Sequence, residues 1–439
     1  MITNKNKELT QWVLKYCLDN GCQEAKVVLY EASSSSFNFR DTAIETLQQS
    51  SEVRLGLYLY VDGRFGSFAT NRLDKQELGT FVVNSIAAVR FLAPDIARKL
   101  PNSSRYYQGG LPNLDLYDST YPSIHPDKKI DIAARIAEEV VGKDNRVISV
   151  TTAFSDRVRS SYMVTSNGFE GATQQSSFSV MANVSAKGED EARPSDYWFD
   201  SSIYFNKLII DGIGTKALER TLRKLGQSKI KSGKYPMVLD SLNASRLLSP
   251  ILRAVSGPSL QQKNSFLLDS LGKPIGSNLF NLKDTPHLMR SNGARYFDGE
   301  GVATQPRSVV SKGVLKNYFI DTYSSHKMKI EPTISSPSIL ELERGDTDLM
   351  GLISKISFGV LITGFNGGNC NTSTGDFSFG VEGFVIEQGE LTYPISEMNI
   401  TGNMIELWSR LIAVGNDPMT STSWRIPSLV FENVSFSGL

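Results

Sequence analysis

Residues 383–395 read GFVIEQGELTYPI. Apolar residues flank a central Gln388-Gly389 pair. A glycine at the second turn position supplies the positive φ that a two-residue hairpin needs. The segment therefore predicts two antiparallel strands. A second stretch, SVVSKGVLKNYFID over 308–321, repeats the pattern around Lys312-Gly313. β-type alternation begins at SGKYPMVLD, 232–240. Two segments of helical character interrupt it, SLNASRLLSPILRAVSG at 241–257 and ITGNMIELWSRLIAVG at 400–415. Strands and helices mix without strict βαβ alternation, so the expected class is α+β rather than a doubly wound sheet.

Upstream, two smaller blocks are expected. In the first, a helix places Leu9, Trp12, Val13, Tyr16 and Cys17 on one face and stops near Gly21. Strands follow over 26–41 and 52–70, with a hairpin turn at Asp62-Gly63. A second helix opens at Asp74, with Glu77 at capping-box spacing. The Pro-, Asp- and Tyr-rich loop 111–128 marks a boundary. A third helix begins near Pro126 and turns Ile130, Ala133, Ile136, Ala137 and Val140 inward. Strands are predicted over 147–171 and 176–188, then a polar connection over 188–200. A helix ending at Gly226 closes the block. The domains are expected at 1–110, 111–226 and a β-rich 227–439.

The chain has 439 residues, with 46 basic and 46 acidic side chains. Zero formal charge gives no electrostatic footprint for nucleic acid, whose phosphates demand basic surface. Three cysteines, Cys17, Cys22 and Cys370, argue against a disulfide framework. The first twenty residues are a charged amphipathic helix rather than a signal peptide. No apolar run approaches the roughly 18 residues of a membrane span. A cytoplasmic protein is expected.

Candidate chemistry is sparse. No two of His125, His287 and His326 lie within four residues of each other, and neither HExxH nor CxxC occurs. A metal site built from distant residues stays open. Cys370, in GFNGGNCNTSTGDFSFGVEGF (364–384), is either a nucleophile using His326 as base or a small residue in a turn. Asp298, Glu300 and Asp376 either face a cleft as acid and base or bind backbone N–H groups in Asx-turns. The run Asp211-Gly212-Ile213-Gly214-Thr215-Lys216 lacks the third glycine of a phosphate loop.

Four collinear motifs go further. They are AVSGPSLQQKNSFLLDSLGKPI (254–275), FDGEGVATQPRSVVSKGVLKNYFIDTYSSHK (297–327), STGDFSFGVEGFVIEQGELTYPISEMNITGN (373–403) and LIAVGND (411–417). Together they resemble the TldD/PmbA family, in its PmbA (TldE) branch, whose members carry the name of modulators of DNA gyrase. The resemblance implies proteolysis of small unfolded peptides. TldD-type chains carry HExxxH on a third-domain helix, with a further cysteine ligand, and bind a catalytic metal. PmbA-type chains lack it and pair with a TldD-type chain to complete the cleft. Here 241–257 contains neither His nor Glu. The expectation is a non-catalytic subunit with no cofactor of its own and zinc in a TldD-type partner. A dimer with that partner or with itself, a small-peptide substrate, and no nucleic acid or membrane complete the expectation. Asp376, Ser378, Glu300 and Cys370 are the candidates to line a peptide cleft. Two alternatives remain: an autonomous hydrolase, and a binding protein acting indirectly on gyrase.

Overall fold

In the computed structural model, residues 2–189 and 192–438 are described. The chain opens with α1 (Asn4–Asp19), whose first turn is capped by the Thr3 hydroxyl accepting from the Asn6 amide. Val13 and Cys17 are fully buried on its inward face, flanked by Leu9, Trp12 and Tyr16. Next come β1 (Glu24–Arg40), β2 (Ala43–Val61), β3 (Arg64–Thr70) and α2 (Lys75–Val89). Asp74 caps α2 by accepting from the Gln76 and Glu77 amides. Past a long loop lie α3 (Pro126–Glu138), β4 (Val147–Thr165), β5 (Glu170–Ala186), β6 (Ser195–Ser202) and α4 (Ile213–Leu222). β6 corrects the expected polar connection, because Ser195–Ser202 pairs with Phe178–Ser185 of β5. The acidic run and Pro194 mask the strand in the sequence. Asp190 and Glu191, within the expected connection, lie outside the described residues.

These strands form one six-stranded sheet in the order β3-β2-β1-β4-β5-β6. β1 and β4 pair antiparallel from Lys26↔Thr165 to Arg40↔Thr151, so the two N-terminal blocks share a continuous sheet. Alternate residues of a strand face opposite sides. Val27 and Leu29 of β1 pack with α1 and α2, while Phe37 and Phe39 pack with α3 and α4. All four positions share one parity, so the four helices cover the same side of the sheet. The other parity of β1, Lys26 through Ser34, Ser36 and Asn38, points to the opposite side.

The C-terminal part contains β7 (Gly233–Leu239), α5 (Ala244–Ala254), α6 (Gly257–Gln261), β8 (Leu282–Asp284), β9 (Arg307–Ser311) and β10 (Val314–Leu315). It continues with α7 (Thr322–Met328), β11 (Leu340–Leu342), α8 (Leu349–Ile353), β12 (Phe358–Cys370), β13 (Asp376–Glu387) and β14 (Glu390–Asn403). It ends with α9 (Met404–Ser409), β15 (Leu411–Val414), β16 (Trp424–Arg425) and β17 (Leu429–Ser437). One sheet runs β14-β13-β12-β7-β17-β15 and curls until β14 also pairs with β17. A second runs β10-β9-β8-β11-β16. Leu247, Leu248 and Ile251 of α5 lie with Val309, Ile362, Val381 and Phe431 in the core that joins them.

The hairpins at Lys312-Gly313 and Gln388-Gly389 have φ of 48° and 74°, and of 52° and 82°. Positive φ at both central residues is type I′ geometry. At Gly313 a Cβ would lie 2.1 Å from the Gly276 carbonyl oxygen, so only glycine fits. The long helix expected over 400–415 is not formed. Ile400–Asn403 ends β14, six residues form α9, and Leu411–Val414 is β15. Ile400 and Leu411 are buried through their strands, and that packing overrides the local helical period. The fold is α+β, multi-domain and strand-rich. Among the described residues no helix is long and apolar enough to cross a membrane.

Candidate functional site

The FDGEG turn, 297–301, fastens the C-terminal domain to the N-terminal sheet. Asp298 is buried, and its Oδ1 accepts from the Glu300 and Val302 amides at 2.9 and 3.0 Å. Its Oδ2 accepts from the Ser335 amide at 3.0 Å. It therefore serves backbone N–H groups, as an Asx-turn aspartate does. Glu300 accepts from the amide and hydroxyl of Thr322, at 3.1 and 2.9 Å, at the start of α7. Across the junction Lys26 Nζ donates to the Gly299 carbonyl at 3.0 Å and lies 4.1 Å over the Tyr58 ring. Burial pushes Glu300 above the usual carboxylate range and Lys26 below the usual amine range.

Because Glu300 is raised in the folded state, its carboxylate is more readily protonated there than in the unfolded chain. Its contribution to stability is fullest below the ordinary glutamate pKa and is lost as pH rises through the raised one. Glu300→Gln removes that dependence. Urea midpoints measured from mildly acidic to neutral pH should show the wild type losing ground relative to the variant as pH rises. A constant difference would refute this.

Cys370 ends β12 and pairs with Phe377 of β13. The β12–β13 connection needs glycine at two places. At Gly368 (φ 87°) a Cβ would meet the Ser378 carbonyl oxygen at 2.1 Å, and Gly375 (φ 81°) abuts the Phe266 ring. Cys370 is half-buried and packs against the core beneath α5. Burial, then the nearby Asp376 charge, push its thiol up, against a smaller downward pull from Arg253. Its Sγ lies 3.7 Å from the Asn371 carbonyl oxygen. A reactive thiolate needs the opposite environment.

A recess of about 210 Å³ lies between α5 and this hairpin, lined by Arg246, Ser249 and Arg253 of α5 and by Asn369, Cys370 and Thr372. No imidazole lines it. His326 lies on α7, with Nδ1 2.9 Å from the Ala97 carbonyl oxygen. Asp376 and Ser378 are exposed and alternate with buried Phe377 and Phe379, so they point away from the Phe face of β13. Asp376 accepts from Thr374 Oγ1 at 2.7 Å and from Asn403 Nδ2 at 3.0 Å, and these bonds hold it below the usual carboxylate range. The structure thus gathers Cys370, Asp376 and Ser378 on one hairpin and places Glu300 at the domain junction. Sequence reasoning missed Arg246 and Arg253. Their signal was the seven-residue spacing along SRLLSPILR, which returns both to one helix face.

The side of the N-terminal sheet opposite the helices, open beyond the Lys26 and Val28 end that packs against the C-terminal domain, is the second candidate. In register across it, Ser50, Ser34, Arg157 and Ser177 form one row, and Gln48, Ser36, Ser155 and Ser179 the next. All of these but Ser50 line a depression of about 350 Å³. Short hydroxyl side chains leave the strands' surface approachable. A third hollow, of about 700 Å³, lies between loop 104–111 and residues 302–307 and includes His287. Its Nε2 lies 3.0 Å from Thr304 Oγ1, and burial pushes its pKa down. Among the described residues no three His, Cys, Asp or Glu side chains group as metal ligands.

Three family models match the chain in order. They describe PmbA/TldA metallopeptidase domain 1 over 25–89, the central domain over 120–225 and the C-terminal domain over 232–438. The chain belongs to the PmbA/TldD metallopeptidase family. A PmbA homologue of Haemophilus influenzae, named a metalloprotease, is 27% identical over 419 residues, covering 94% of this chain and 92% of that protein. A crystal structure of a Bacteroides thetaiotaomicron protein, described as a candidate modulator of DNA gyrase, is 57% identical with a TM-score of 0.98 over 100% of both chains. TldE of Thermococcus kodakarensis shares the fold at 20% identity, with a TM-score of 0.83 over 98% of this chain and 100% of that one.

The PmbA/TldD name implies a metal, and the α5 recess does not fit one. Zinc takes thiolate, imidazole and carboxylate donors. Here α5 presents two guanidinium groups, a hydroxyl and Pro250 toward a single thiol. Guanidinium has no lone pair to give and repels a cation.

Proposed function

We propose that this chain is a non-catalytic subunit of a PmbA/TldD-type peptidase assembly. A TldD-type chain supplies the zinc, and this chain supplies part of the wall that holds a small unfolded peptide. The observation that carries the reading is the solvent-side face of α5 beside the hairpin, where Arg246, Ser249, Pro250 and Arg253 line one recess with Cys370. The serine-rich open side of the N-terminal sheet supports the wall. It is a broad, polar surface whose serine hydroxyls can donate to and accept from a peptide's main chain with little bulk to select one sequence.

Two measurements on the purified, untagged chain test this. Elemental mass spectrometry after dialysis should find transition metal far below one atom per chain. Cleavage of an unstructured peptide library should be absent from this chain alone and appear when a TldD-type chain is added. Stoichiometric metal, or cleavage by this chain alone that a chelator abolishes, would overturn the proposal. Size-exclusion chromatography of the mixture separates a mixed dimer from self-association.

A further inference from the structure

The recess between α5 and the β12–β13 hairpin has properties of its own beyond its failure to fit a metal. It is about 210 Å³ in volume, room for about seven waters' share of liquid. That suffices for the end of a chain and not for a run of it. Arg246 is held in place at its edge. Its Nη2 donates to the Gly368 carbonyl at 3.0 Å, and its guanidinium lies 5.1 Å from the Phe379 ring centre. The side chain of Arg253, one face-repeat along the helix, makes no hydrogen bond or ion pair with the described residues, so its donors are uncommitted. The nearest acid of the hairpin, Asp376, is already engaged by Thr374 and Asn403. Ser249 and Thr372 add hydroxyl groups to the lining. Two positive charges, one fixed and one free, in a small hollow with no neutralising carboxylate form a receptor for a planar anion.

We propose that this recess binds the C-terminal carboxylate of a peptide, with Arg253 as its principal partner and Arg246 as a preset second donor. The inference rests on the peptide-binding reading above and names the group recognised. Arg253 and Arg246 would be binding residues, with no part in bond breaking.

The probe is acetyl-pentaalanine bearing a fluorescent label, with a free acid or an amide at its C-terminus. Binding to the purified chain is followed by anisotropy at low salt. The free acid should bind at least about tenfold tighter than the amide, the scale of a charge-assisted hydrogen bond. Arg253→Gln should erase that preference by weakening binding of the free acid. Because Arg253 is exposed and unpaired, this variant should fold as the wild type does. Equal binding of acid and amide, or a preference that survives in an Arg246→Gln/Arg253→Gln double variant, overturns the inference. An amide peptide with an internal glutamate that binds as well as the free acid also overturns it, since the recess would then take side-chain carboxylates. If no probe binds, the inference falls alone, because the subunit reading is tested by hydrolysis with a partner.

Discussion

Lys224→Met lowers the free energy of unfolding by about 3–5 kcal/mol, the cost of leaving a buried charge without its partner. Lys224, just past α4, has a side chain only 3% exposed. Its Nζ lies 3.0 Å from Asp196 on β6 and 2.6 Å from Glu382 on β13. Arg220 of α4 reaches the same Asp196 at 3.2 Å and Asp240, at the end of β7, at 3.6 Å. Burial pushes Asp240 up, so this network sits in a poorly solvated place. Removing the ammonium leaves Asp196 with Arg220 but leaves Glu382 unpaired. Lys224→Met combined with Glu382→Gln should therefore recover part of the loss, which a merely steric defect would not allow. Urea denaturation of the single and double variants measures both, and a single-variant loss below about 1 kcal/mol, typical of an exposed ion pair, would refute the argument. The network also matters for function. It ties α4 and β6 to the start of α5 and to β13, and so sets the recess relative to the open sheet face.

Local chemistry was legible in the sequence where one or two residues decide the geometry. Asp62-Gly63, Lys312-Gly313 and Gln388-Gly389 all form turns with positive φ at both positions. Asp74 caps its helix as its spacing predicts. What depends on distant partners was not legible. Nothing in 26–41 or 147–171 announces that β1 and β4 pair with each other, because register between remote strands follows from the burial of both. β6 was hidden because SDYWFDSS is polar and follows an acidic, proline-containing run. The segment 400–415 was misread as one helix because Met404, Leu407 and Trp408 do recur at helical spacing, while Ile400, Leu411 and Val414 belong to strands. At the site, the absence of His and Glu from α5 was plain in the sequence. The two arginines that face Cys370 were equally visible as letters, but only the folded hairpin shows what they face.

Trp408→Ala should cost about 3–5 kcal/mol, the range for truncating a buried tryptophan. Trp408 is the largest fully buried side chain. Its ring stacks on Phe280 at 4.1 Å and meets Phe431 edge-on at 5.6 Å. Its Nε1 donates to the Leu247 carbonyl of α5 at 3.3 Å. That last bond makes the effect directional. α5 has Pro250 in its interior, and proline has no N–H to return to the Arg246 carbonyl one turn earlier. The helix is therefore weak in its own backbone bonding at the turn that carries Arg246, and packing from below must hold it. Trp408→Phe keeps an aromatic ring against Phe280 and loses the N–H, so its cost should be smaller. Hydrogen exchange should separate the global loss from the local one. In Trp408→Ala, the amides of Ile251 to Ala254 should lose more protection than those of the N-terminal sheet, such as Val27 and Leu29. Uniform loss across both regions would mean that Trp408 supports the core without specifically bracing α5. With α5 loosened, Arg246 and Arg253 are no longer held against the hairpin. The preference for a free C-terminal carboxylate should then weaken in Trp408→Ala, although neither arginine has been changed.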